Sequence, residues 1–251
     1  MSSHRPELHI TAQHGVLEAP AGALFTGEQW HVFHQYRSQP DVKKNNWGHV
    51  VSADTPFNWV HRDDVLSAEA PEVQVRAGSV VAPRCGDEAE LFFTSVTDKG
   101  PSIHRALLTN LSGPQSDVRR EGSVVDAPVL GIDKLQDFRS PCVVPGWADE
   151  DDRSEGHGGW LMLAVAGPMS APELVMLSSH DQQSWTLDGP LAFHGDSGLA
   201  HHPILVSPRI IRLRDEVDSH VYDVLIVTVE ADGVDLSGYL VGTLRGCDFW
   251  V

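Results

Sequence analysis

Covalent and acid–base chemistry need carboxylates, imidazoles or thiols that meet. The first place to look in this 251-residue sequence is Gly15–Phe25, GVLEAPAGALF. Its proline and glycines read as a turn leading into an apolar strand, a setting that can hold a reactive side chain. The centre runs Glu18, Ala19, Pro20, Ala21, Gly22, so Glu18 is the one group there that can carry a charge. In an extended segment neighbouring side chains point to opposite faces, which directs Glu18 away from the side of Ala19. A bulge or a local rotation would re-aim it.

Imidazoles are the second resource. His14, His31, His34, His49, His201 and His202 lie in or beside strand-like segments. Two or three converging imidazoles could bind zinc or copper. His31 and His34 are three apart, however, and face opposite sides of a regular strand. Structural or surface histidines are the reading carried forward, with no metal or cofactor expected. The acidic run Trp147–Trp160, WADEDDRSEGHGGW, lacks the glycine-centred spacing of a calcium loop and reads as a solvated insertion. Cys85, Cys142 and Cys247 are too few and too scattered for a disulfide framework or zinc cluster, and are expected as reduced thiols.

Charge narrows the partners. A net charge of −17 repels polyanions unless a basic patch overrides it, and DVKKNNW and DVRREG each hold only two adjacent basic residues. Nucleic acid is therefore not an expected partner. No apolar run reaches the roughly 18–20 residues that span a bilayer, and MSSHRPELHI lacks a secretory signal's apolar core. A cytoplasmic protein without membrane association is expected.

The elements that must position these groups are strands. Short β-prone runs recur between Gly, Pro, Asp and Asn: WHVFHQY, WGHVVS, GSVVA, ELFFTSV, WLMLAVAG, ELVMLSS, VYDVLIVTVE and GYLVGTL. Several are apolar on both faces, as in strands packed between other sheets. HRALLTNL reads equally as a turn of helix or as a strand. Trp47–Trp59 and Glu173–Trp185 share a strand, then Ser-x-Asp, then a tryptophan. Asp54 and Asp181 are the turn-forming carboxylates of this echo. A unit repeated at blade spacing suggests a β-propeller, and a β-sandwich without repeats is the alternative.

Six segments, in order, resemble one family. HITAQHGVLEAPAGALF follows the pattern H-F-T-P-x-x-G-W-M-N-D-P-N-G-L, with His9, Thr11, Gly15, Pro20 and Gly22 on it. WHVFHQY resembles F-Y-Q-Y, and WGHVVSADTPFNWVH resembles W-G-H-A-x-S-x-D-L-x-x-W. RAGSVV lies where F-S-G-S-A is expected, FRSPCVV where F-R-D-P-K-V is, and GLAHHPILV where W-E-C-P-D-L-F is. The pattern is that of glycoside hydrolase family 32, the invertase, levanase and sucrose-6-phosphate hydrolase family. The resemblance implies an all-β, five-bladed propeller with its active site in the axial funnel. About four blades are recognisable in 1–251, read as a single propeller domain with its last blade missing or incomplete and no C-terminal β-sandwich.

The resemblance also implies a loss. Retaining hydrolysis needs a carboxylate nucleophile and a carboxylic acid about 5 Å apart. The family's nucleophile falls on Ala19, its transition-state-stabilising Asp on Ser140 and its acid/base Glu on His201. Glu18 is the nearest substitute nucleophile. Gln35, Trp47, Ser79 and Arg139 fall on sugar-binding positions, whereas Val16, Arg76 and Ala77 depart from the pattern. Core packing and blade-to-blade hydrogen bonding are the alternative roles of Trp47 and Gln35. Arg139, without its acidic neighbour, needs a new partner, for which Glu18 is a candidate. The expected function is that of a non-catalytic relative that binds a fructose-containing sugar or a partner in the funnel. An active sucrose or fructan hydrolase with relocated carboxylates is one alternative. An interaction scaffold or fragment without ligand binding is another.

Overall fold

The computed structural model describes residues 9–52, 58–82, 87–125, 137–146, 158–199, 204–231 and 233–251. Every regular element among them is a strand, and the strands form four sheets. The first contains β1 (Val16–Phe25), β2 (Trp30–Arg37), β3 (Asn46–Ser52), β4 (Val60–His61) and β5 (Leu66–Ser67). The second is the meander β6 (Gln74–Val81), β7 (Glu88–Thr97), β8 (Gly100–Thr109) and β9 (Asp117–Val125). The third is the meander β10 (Arg139–Pro145), β11 (Trp160–Ala166), β12 (Glu173–Ser179) and β13 (Thr186–Pro190). The fourth runs β14 (Ala192–His194), β18 (Asp248–Trp250), β17 (Val234–Arg245), β16 (Val221–Ala231) and β15 (Ile204–Arg214), with β14 parallel to β18. This is the all-β, blade-by-blade arrangement expected from the sequence, with four blades among the described residues.

The chain, expected as one propeller domain, clusters into two compact units, 1–123 and 124–251. Each holds two blades and its own core. In the first unit Phe33, Trp47 and Leu66 pack with Val75, Leu91, Phe93 and Leu108. In the second, Leu163, Val165 and Met176 pack with Ile210, Leu225, Leu244 and Phe249. HRALLTNL resolves as strand through Thr109, with Asn110 and Leu111 in the turn that follows. A turn at Asp98–Lys99 returns the chain as β8, and Arg105 forks onto Glu90 of β7 at 2.6 and 2.7 Å. Its apolar side chains Ala106 and Leu108 are thereby placed in the first core.

The stretch read as a turn, Gly15–Phe25, is instead mostly strand. β1 pairs with β2 along its whole length but slips register twice, at Glu18 and at Ala21. The other first strands slip too: β6 at Ala77–Gly78, β10 at Ser140–Pro141 and β15 at Ser207–Pro208. An extra residue in one strand bends it and re-aims the side chains beside it. Gly78 is needed for this, since a Cβ there would lie 2.0 Å from the carbonyl oxygen of Phe92. Ser140 and Ser207 hold φ of 55° and 46° immediately before proline, a left-handed conformation that costs non-glycine residues about 1–3 kcal/mol.

Candidate functional site

The bulge in β1 decides where Glu18 goes. Because Leu17 pairs with Tyr36 and Ala19 pairs with Gln35, Glu18 is the supernumerary residue. Strict alternation therefore does not apply, and the expectation that Glu18 points away is corrected. Its carboxylate accepts a hydrogen bond from Gln35 Nε2 at 2.5 Å, the residue directly across from Ala19. Asn45 Nδ2 donates to the same oxygen, and the Arg37 guanidinium pairs with the other. Gln35 in turn accepts from the backbone N–H of Ala77 at 2.5 Å, which links the bulges of β1 and β6. A charged strut results, with both carboxylate oxygens engaged.

Replacing Glu18 by glutamine turns one acceptor oxygen into a donor facing Gln35, Asn45 or Arg37. Asn45 is only 4% exposed and loses its acceptor without access to water. The expected loss is about 1–2 kcal/mol in a denaturant titration, held down by the partial exposure of the Glu18–Arg37 pair. An unchanged midpoint would mean that the strut carries no stability.

The remaining site residues separate into two kinds. Trp47 has no exposed surface and lies edge-on to Phe93 at 6.4 Å in the first core. Its expected role as a platform for a sugar ring is corrected, because no face of the indole is free. Ser79, 7% exposed, is also buried beside its bulge. Arg139 is 4% exposed and donates from Nη1 to the carbonyls of Asp137 at 2.9 Å and Gly167 at 2.6 Å. Backbone oxygens are thus among the partners of Arg139, while Glu18 is held by Arg37, Gln35 and Asn45. Ser140 is half-buried in the bulge of β10. His201, His202, Asp54, Cys85 and most of the acidic loop lie outside the described residues.

Asp181 is the turn residue expected of it. Its Oδ1 accepts the N–H groups of Gln183 and Ser184 at 2.8 Å each, which holds its carboxyl below the usual carboxylate range. The thiols of Cys142 and Cys247 are both pushed up by burial, which keeps them protonated and poor nucleophiles. Among the described residues, no three His, Cys, Asp or Glu side chains are placed to hold a metal ion together. No helix among them is long and apolar enough to cross a membrane.

Sequence reasoning missed the bulges as a set. The signal was present: RSPCVV (139–144) and VSPRII (206–211) both read Ser-Pro ahead of a strand run, and both are bulged at that dipeptide.

Residues 9–249 match the family model described as "Glycosyl hydrolases family 32 N-terminal domain". The chain is 26% identical to an invertase of Schizosaccharomyces pombe over 99% of its own length and 42% of that protein's. It is 27% identical to a sucrose-6-phosphate hydrolase of Bacillus subtilis, over 96% of this chain and 49% of that one. It thus spans about half the length of the curated relatives it matches. Among solved structures, fructan 1-exohydrolase IIa from Cichorium intybus superposes with a TM-score of 0.74 at 20% identity, covering 99% of this chain and 46% of that one. A sucrose-6-phosphate hydrolase from Lactobacillus gasseri gives a TM-score of 0.74 at 17% identity, covering 99% of this chain and 50% of that one. At these identities the superpositions speak to fold alone.

Proposed function

We propose, from the premise that this chain belongs to glycosyl hydrolase family 32, that it is a non-hydrolytic member that binds a fructose-containing sugar. One feature supports the reading: by motif order alanine falls where the family pattern has its nucleophile, and Ala19 lies directly across from Gln35. A methyl group cannot form a glycosyl ester, and double displacement requires one. Ser140, at the position of the stabilising Asp, offers a hydroxyl that is neutral at physiological pH and cannot balance an oxocarbenium-like charge.

A relocated nucleophile is the reading to beat, and the bulge at Glu18 gives it its one support. Against it, both Glu18 oxygens are already engaged by Arg37, Gln35 and Asn45. Attack would break these contacts in the step that needs the carboxylate in place. The half-buried Gln35 and Arg37 can also bind hydroxyls, since Gln offers both donors and acceptors and Arg offers a fork of donors. We assign the sugar to this polar cluster rather than to an aromatic platform.

Calorimetry with fructose, sucrose and short fructans tests the binding half of the proposal. Heat of binding that is weakened about tenfold by Gln35→Ala is expected, the size of one neutral hydrogen bond at the upper end of its net range. Binding indifferent to Gln35 would place the sugar elsewhere. No heat with any of these glycans would make the chain a scaffold.

A further inference from the structure

The first blade buries three imidazoles that the proposed sugar site does not use. His31, His34 and His49 are 0, 4 and 1% exposed. His31 Nδ1 lies 3.0 Å from His49 Nε2, and the His49 ring stacks on Phe33 with centroids 4.4 Å apart. His34 lies over Gly48, where a Cβ would come within 2.6 Å of its ring. Neither His34 nitrogen has a partner among the described residues, nor does His49 Nδ1. His34 and His49 line a cavity of about 60 Å³ whose other walls include Ala12–His14 and the stretch from His61 to Asp64. That is room for a few waters.

We propose that His31, His34 and His49 form an acid-responsive latch: neutral, they let 12–14 and 61–64 close over β2 and β3, and protonated, they release them. The hydrogen bond between His31 and His49 needs one ring to accept, so protonating both converts it into two opposed donors. A charge on His34 has no buried counter-ion among its described contacts. The groups facing the cluster from neighbouring elements mostly oppose protonation. His14 comes from the segment before β1, His61 from β4, and Arg62 from just beyond it. Arg62 works against a charge on both His31 and His49, and His61 works against one on His34. Asp87 favours a charge on His31. Asp64 is occupied by Tyr36 at 2.6 Å and Asn46 at 3.0 Å, and burial raises its carboxyl, so it loses its charge early in acid.

Burial pushes His34 down to about 4 and His49 down to about 3, against an ordinary value of 6.5, and lowers His31 as well. Above 6.5 these groups are neutral in both folded and unfolded chains and leave stability independent of pH. Below 6.5 the unfolded chain takes up the protons first, so stability falls as pH drops from 6.5 towards the folded values.

Near-ultraviolet circular dichroism followed from pH 8 to 3.5 tests the latch on the whole chain. A reversible loss of tertiary signal centred at about pH 4–5 is expected, and His34→Gln/His49→Gln should move its midpoint down by at least about half a pH unit. His180→Gln/His220→Gln, at exposed positions in the second unit, should leave it in place. An unmoved midpoint in the first pair would overturn the proposal. If that pair fails to fold, histidine Cε1–H resonances of the unaltered chain decide. Buried rings that stay neutral until the transition are expected. Rings that titrate near 6.5 with tertiary signal intact would overturn it.

Discussion

Trp47→Ala is expected to lower the unfolding free energy by about 3–5 kcal/mol, the range for deleting a buried large aromatic. Trp47 is fully buried, packs nearly perpendicular to the Phe93 ring, and accepts the N–H of Val65 at its carbonyl, so the cavity would open where two blades share a core. Trp47→Phe should cost far less. It keeps most of the apolar volume and removes an indole N–H that is buried without a partner among the described residues. Urea titrations of both variants, with slopes unchanged, check this. A sugar platform would behave oppositely, losing affinity on Trp47→Ala while keeping its stability.

The second large effect lies in the fourth blade. Asp223 is 1% exposed and accepts from Arg212 Nε at 2.8 Å, from its Nη2 at 3.1 Å, and from the N–H of Leu244 at 2.7 Å. One carboxylate therefore joins β15, β16 and β17. Asp223→Ala removes the buried carboxylate that Arg212 and the Leu244 N–H share, and about 3–5 kcal/mol should be lost. The double variant Arg212→Met/Asp223→Leu should recover most of that, because desolvation of both charges goes with them. Equal losses in the single and double variants would show that the bond to Leu244, not the ion pair, carries the strut.

These expectations show what the sequence made legible. Strand existence was readable because β-branched and aromatic residues alternate or run together between turn residues, as in ELFFTSV and VYDVLIVTVE. HRALLTNL was ambiguous because Ala and Leu favour helix locally, and only pairing with β7 decides it. Motif order alone assigned Ala19 and Ser140 to the nucleophile and stabiliser positions of the family pattern. Glu18 was misdirected because a period of two assumes an unbroken register, and a bulge is a property of the pair of strands, not of one. Trp47 was over-read for a related reason. An aromatic in a motif looks the same whether its ring faces a ligand or a neighbouring blade, and burial is a tertiary fact. Arg139 was expected to seek a carboxylate, yet a guanidinium can also be satisfied by backbone carbonyls, which sequence does not place.

On the proposed reading, family 32 architecture persists here without family 32 chemistry. Fructose release from sucrose, levan and inulin, measured for this chain beside Glu18→Gln, tests it most directly. No release above the enzyme-free blank is expected from either protein. Turnover by the unaltered chain that disappears in Glu18→Gln would contradict it and make the bulged carboxylate a working nucleophile.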